Sequence, residues 1–166
     1  MESFKLIEAT VRSIAPFFKG FDLKPLADNE QYISLEWQDL NDSDALFNAS
    51  SLSDGTLRMM CLTTLLLQPD LPQTIIIDEP ELGLHPFAIN KLAGLLSIAS
   101  QKSQVIISTQ SMNLIDNFVP EDIIVVDRTD KQTTFRNLDA DELSTWLEEY
   151  SLGEIWEKNL IGGRPA

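Results

Sequence analysis

Two carboxylates, Asp78 and Glu79, stand side by side at the end of the apolar run Thr74-Ile75-Ile76-Ile77. β-Branched residues in series favour a strand buried on both faces, and open α/β sheets place their ligands at the carboxyl ends of such strands. Neighbouring acids at a strand end point in different directions. One can hold Mg2+, directly or through water, while the other polarises a water for attack on a phosphate. Upstream, Ser53 and Gly55 open an apolar helical stretch. A serine there caps the helix, and a glycine lets main-chain N–H groups approach a phosphate. Downstream, Ile106-Ile107 runs into polar residues that include Gln110. Its amide can hydrogen-bond a phosphate or a water but cannot take a proton. His85 is the only histidine, and no other histidine and no set of cysteines accompanies it, so a zinc cage is excluded and a structural or interface role is expected.

The elements that must position these groups follow from periodicity and breakers. Phe4, Ile7, Val11 and Ile14 share one helical face, and Pro16 ends that helix. Residues 32–37 alternate as in a half-buried strand, and the polar stretch 38–50 reads as a loop. Ser51 or Ser53 caps a helix from about Asp54 to Gln68 whose apolar surface is unusually wide; Pro69 and Pro72 mark the turn after it. The strand ending at Asp78 comes next. Pro86 then occupies a first helical position and opens a helix to about Ser100. Gln104–Thr109 is expected to be a second buried strand, Ser111 to cap a short helix through Phe118, and Ile123–Asp127 and Thr133–Leu138 to be strands. The tail from Asp139 to Lys158 is expected to be helical, with Gly153 as the break. From Ser53 to Asp127 helix and strand alternate, which predicts an α/β fold with a parallel sheet, right-handed crossovers and flanking helices.

Bulk composition narrows the function classes. The 166 residues suffice for one domain with a real core. The expected division is 1–50 as a helical arm with an edge strand, 51–138 as the α/β core, and 139–166 as a helical tail. Twelve Lys and Arg stand against 26 Asp and Glu, a formal net charge of −14, and no basic run occurs. DNA binding by this chain is therefore disfavoured, because affinity for the phosphate backbone comes from clustered Lys and Arg. No apolar run approaches the roughly 18 residues that mark a membrane span, and no signal-peptide pattern is present, so a cytoplasmic protein without membrane attachment is expected. The one cysteine, Cys61, sits in an apolar helical pattern and is expected to be a small core residue.

Taken with their spacing, these motifs resemble those of the ABC-type ATPase heads of the SMC-like, RecF-like and OLD-like group, also described as AAA-type ATPases. Leu52-Ser53-Asp54-Gly55-Thr56-Leu57-Arg58 is similar to the signature motif in its RecF-like form, with Asp54 where transporters often carry glycine. Ile75–Glu79 resembles a Walker B element and Glu81–Pro86 a D-loop. Ile106–Ser111 resembles the switch region, with Gln110 where many relatives carry histidine. The ending Ser151-Leu152-Gly153-Glu154-Ile155-Trp156 through Ile161-Gly162-Gly163-Arg164-Pro165 resembles those of OLD-like and RecF-like ATPases, which suggests a natural end. The resemblance implies ATP and Mg2+ as cofactors, Asp78 as the Mg2+ support, Glu79 as general base or water-positioning residue, and Gln110 as γ-phosphate sensor. Ser53 and Gly55 would grip a γ-phosphate held by a second protomer. Arg58, one turn further on, would contact phosphate or ribose across a dimer, or pair with an acid on the surface.

The phosphate-cradling sequence G-x-x-x-x-G-K-[ST] is not found: Gly20, Gly55, Gly83, Gly94, Gly153, Gly162 and Gly163 are the only glycines and none fits. The resemblance thus covers the C-terminal half of a P-loop NTPase domain of the ABC type, with the Walker A half absent. The chain is expected to be inactive alone and to become an ATPase, with ATP-dependent head dimerisation, when joined by a Walker A lobe or a full-length protomer. A homodimer is the expected assembly, and any DNA contact would belong to the full-length protein. The alternative is a non-catalytic interaction module or degenerate ATPase fragment.

Overall fold

The computed structural model describes residues 2–42 and 44–163. They gather into two compact units divided between Ser108 and Thr109, each with a core cluster of its own. The boundary falls within the span 51–138.

In the first unit α1 (Glu2–Ile14) buries Ile7 and Val11 and stops before Pro16, as its periodicity predicts. Five short strands follow: β1 (Phe18–Asp22), β2 (Pro25–Leu26), β3 (Asn29–Ile33), β4 (Glu36–Asp39) and β5 (Leu46–Asn48). They form an antiparallel sheet ordered β1-β4-β5 and a separate β2–β3 hairpin. The single strand expected over 32–37 is therefore broken at Ser34-Leu35, and 38–50 is not all loop. The physical reason is Trp37. Its ring stacks on Phe47 at 5.0 Å and its Nε1 donates to the Asn48 carbonyl and to Ser51 Oγ, which pulls Glu36–Asp39 into register with β5 and leaves β3 wholly exposed.

α2 (Asp54–Leu67) is capped by Ser53, whose Oγ accepts from the Thr56 N–H at 3.2 Å. Its wide apolar surface is met from two sides. Met59, Met60, Leu62 and Leu66 are buried, and the helix packs on α1 and on α3 (Pro86–Ser100). Cys61 falls on the strip left uncovered and is exposed, so it is not a core residue. β6 (Thr74–Asp78) precedes α3 and β7 (Gln104–Ser108) follows it. The two strands pair in parallel, from Thr74 opposite Gln104 to Asp78 opposite Ser108. The predicted burial on both faces is not realised. Ile75 is buried and Ile77, Val105 and Ile107 are half-buried, whereas Ile76 is 75% and Ile106 47% exposed. α3 packs against β7, and the opposite face of the two-stranded sheet stays open.

The second unit holds α4 (Met112–Ile115), β8 (Ile124–Thr129), β9 (Gln132–Asn137), α5 (Ala140–Leu147) and α6 (Leu152–Glu157). β8 pairs antiparallel with β9 instead of extending the parallel sheet. Asp130 and Lys131 both have positive φ, the geometry of a tight hairpin, so the chain folds back at once. Among the described residues the parallel sheet therefore has two strands. α4 stops at Ile115, short of Phe118, and Ser111 at its start makes no side-chain cap bond. Gly153 is not a break. It lies inside α6, its N–H donates to Asp116 Oδ1 at 2.6 Å, and a Cβ there would sit 2.8 Å from the same atom. The turn falls before it, where Ser151 and Glu154 form a capping box. Beyond α6, Gly163 N–H donates to Asp127 Oδ1 at 2.7 Å and Arg136 Nη2 to the Ile161 carbonyl at 2.5 Å. Arg164 and Pro165 of the ending motif lie outside the described residues. No helix among the described residues is long and apolar enough to cross a membrane.

Candidate functional site

Asp78 is the last residue of β6 and is exposed at the edge of the open sheet face. Directly across the ladder, Ser108 Oγ donates a hydrogen bond to its carboxylate. Sequence reasoning assigned Ser108 no part; the signal was its place at the end of the second apolar run, which parallel register brings opposite Asp78. The two side chains offer carboxylate and hydroxyl oxygens, the hard donors that Mg2+ takes. No group of three or more His, Cys, Asp or Glu among the described residues is placed to hold a metal. A single carboxylate fits the way Mg2+ is commonly held, through one or two carboxylates with waters and phosphate oxygens completing the shell.

Glu79 is half-buried and turns sharply away from the strand, with φ 44°. Its N–H still donates to the Ser108 carbonyl at 2.9 Å. Left-handed backbone costs a residue with a Cβ on the order of 1–2 kcal/mol. Two donors to its carbonyl offset that strain: Arg58 Nη1 at 2.8 Å and the Leu82 N–H at 3.2 Å. Arg58 thus meets the main chain of Glu79 in its own unit. The turn continues through buried Pro80 and Glu81, with Leu84 N–H on the Glu81 carbonyl at 2.9 Å. The burial of Glu81 was also missed, since acids are seldom placed inside by pattern alone. His85 is an N-cap: its Nδ1 accepts from the Phe87 N–H at 3.2 Å, and Pro86 starts α3.

Ser53 stands exposed at the N-terminus of α2, with Oγ also 2.8 Å from Thr56 Oγ1. Gly55 lies in the first turn, where a Cβ would come 2.3 Å from the Gly83 carbonyl oxygen. Only glycine permits this approach of the helix start to the Glu81–Pro86 turn. Ser53, Gly55, Arg58, Asp78 and Glu79 are therefore linked within one unit. Gln110 is exposed, lies just past β7, and belongs to the second unit. Beside the helix start is a cavity of about 240 Å3 lined by Ser53, Gly55, Thr56, Gly83 and His85 among others. Sites for drug-sized ligands are generally larger, roughly 300–1,000 Å3.

A family model described as "AAA domain, putative AbiEii toxin, Type IV TA system" matches residues 2–116. ATP-binding cassette sub-family A member 6 of Homo sapiens is 33% identical over 107 residues, 64% of this chain and 6% of that protein. ABC transporter A family member 11 of Dictyostelium discoideum is 32% identical over 79 residues, 48% of this chain and 9% of that protein. The chain thus spans under a tenth of the length of these relatives. Among solved structures, an Smc head domain from Pyrococcus furiosus, bound to the C-terminal domain of ScpA, is similar with a TM-score of 0.65 at 17% identity, covering 89% of this chain and 37% of that one. A chain described under "ATP-driven dimerization and DNA stimulated activation of SMC ATPases" gives 0.57 at 19% identity, covering 90% and 93%. At such identities the likeness shows the fold, that of P-loop NTPase heads. With residues 2–116 matched, the chain belongs to this AAA domain family, and its sequence and fold are similar to part of an ABC-type ATPase head.

Proposed function

We propose that this chain is the signature and Walker B lobe of an ATP hydrolase, completed by a lobe bearing the phosphate-cradling loop and dimerising as a head when ATP is bound. One observation carries the reading: the start of α2 and the end of β6 are joined in one unit, through the Gly55–Gly83 approach and the Arg58–Glu79 hydrogen bond. Ser53 and Gly55 then present a hydroxyl and N–H groups to the γ-phosphate of a nucleotide held on a second protomer. Asp78, aligned by Ser108, would support Mg2+. Glu79 orients the attacking water and takes its proton. Gln110, by the resemblance, would serve as γ-phosphate sensor through its amide. Mg-ATP, when bound, supplies a γ-phosphoryl group whose transfer is favoured by positioning and charge neutralisation. The partners are the Walker A lobe or a full-length protomer and a second copy of the head; any DNA contact falls to other parts of the full-length protein.

The test supplies the missing lobe, as the full-length protein or as a second chain, and follows phosphate release. Mg2+-dependent turnover is expected. Glu79→Gln keeps size and polarity but is no base, so kcat should fall about 10²–10⁴-fold while ATP-dependent association persists. Asp78→Asn should raise the Mg2+ concentration required. An unchanged rate in Glu79→Gln removes Glu79 from this role. The open face at Ile76 favours one second reading, a non-catalytic module; association with the completing lobe without phosphate release would support it.

A further inference from the structure

We infer that Arg58 is a positioning residue: its guanidinium holds the left-handed backbone of Glu79 and ties the placement of that carboxylate to the helix that carries Ser53. The functional meaning of this role rests on the ATPase reading above; the backbone contact does not.

Among the described residues, four other than glycine have positive φ: Glu79, Asp130, Lys131 and Asn159. Asp130 and Lys131 form a hairpin turn, and Asn159 follows a helix C-terminus, both places where left-handed backbone is common. Glu79 has neither setting. It follows a strand directly, and its conformation turns its carbonyl toward α2, where Arg58 Nη1 donates at 2.8 Å from a part-buried position. A charged donor makes a stronger bond than a neutral one, and the planar guanidinium loses less freedom in making it than a lysine would. The second tie lies one turn earlier on the same helix. There Gly55 meets the Gly83 carbonyl so closely that α2 and the turn after Glu79 must shift together. Ser53, Gly55 and Arg58 occupy the first two turns of α2, so a displacement of this helix start by phosphate at Ser53 reaches Glu79 through Arg58. A water-activating carboxylate is sensitive to such shifts, since a misplacement of about 1 Å can lower a rate about 100-fold.

The contact is tested on this chain by amide hydrogen exchange. Arg58→Met should lower the protection of the Glu79 and Leu82 amides about tenfold or more, with Leu62 and Leu66 in α2 unaffected and Arg58→Lys intermediate. Unchanged exchange at Glu79 and Leu82, or a uniform loss along α2, overturns the role. If Arg58→Met does not fold, Arg58→Lys decides by the same readout, and full protection in it overturns the role. In the protein completed by its phosphate-cradling lobe, Arg58→Met should lower kcat at unchanged KM for ATP. A raised KM at unchanged kcat would put Arg58 on the nucleotide instead and also overturn the role. If the completed protein releases no phosphate, the ATPase reading fails, and the exchange result still decides whether Arg58 holds Glu79.

Discussion

Gly94 and Gly153 are both helical glycines, yet what surrounds them is opposite. A Cβ at Gly153 would lie 2.8 Å from Asp116 Oδ1 and 2.9 Å from Met112 Cβ, whereas one at Gly94 would meet nothing within 4 Å. Gly153→Ala should therefore force α6 from α4 and destabilise by about 1–3 kcal/mol. Gly94→Ala removes backbone freedom from the unfolded chain and exposes no clash, so it should stabilise by about 0.5–1 kcal/mol. Urea denaturation of the two variants checks both signs. Equal midpoints would mean that α6 does not pack against Met112 and Asp116 as closely as these distances require. The same reasoning distinguishes Gly55, whose neighbour is a main-chain oxygen that cannot rotate away.

What could be read from the sequence depended on whether the deciding interaction was local. α1, α2, β6 and α3 came out near their expected limits because Pro16, Ser53, the isoleucine run and Pro86 mark them from within. The start of the candidate site was equally visible, since Ser53, Gly55, Asp78 and Glu79 are set by turn and cap chemistry. Pairing was not visible. β8 reads as a third parallel strand by alternation, but it pairs antiparallel with β9 across the positive-φ turn at Asp130 and Lys131. Trp37 draws β4 away from β3 through partners distant in sequence, which no period-2 pattern contains. Burial was misread for a related reason. Isoleucines in series predict two covered faces, and Ile76 and Ile106 have one. Uncovered apolar surface therefore lies on the sheet at Ile76 and Ile106, whereas Met60, Leu62 and Leu66 of α2 are buried within the chain.

Two properties of the isolated chain can be predicted, one from its sequence and one from that uncovered sheet. No phosphate-cradling sequence occurs among the 166 residues, so calorimetry with Mg-ATP should detect no micromolar affinity. Micromolar binding would mean that Asp78 and its neighbours make a site without the second lobe. The exposed Ile76 and Ile106 also favour self-association. Burying the pair against a second copy would contribute on the order of 3 kcal/mol. Opposing it is a formal charge of −14 on each chain, whose repulsion extends over about 10 Å at 0.1 M salt and only about 3 Å at 1 M. Association should thus strengthen as salt rises, the reverse of what a charge-paired interface would do. Light scattering across protein concentration at both salt levels measures it, with a hydrophobic dye reporting the open face. Ile76→Thr combined with Ile106→Thr should weaken the salt-promoted association and lower dye binding. Both side chains are exposed, so the fold should lose little stability, within about 0.5 kcal/mol for each. A monomer at high salt that binds no dye would show that the face is covered in solution and would overturn the expectation of self-association through it.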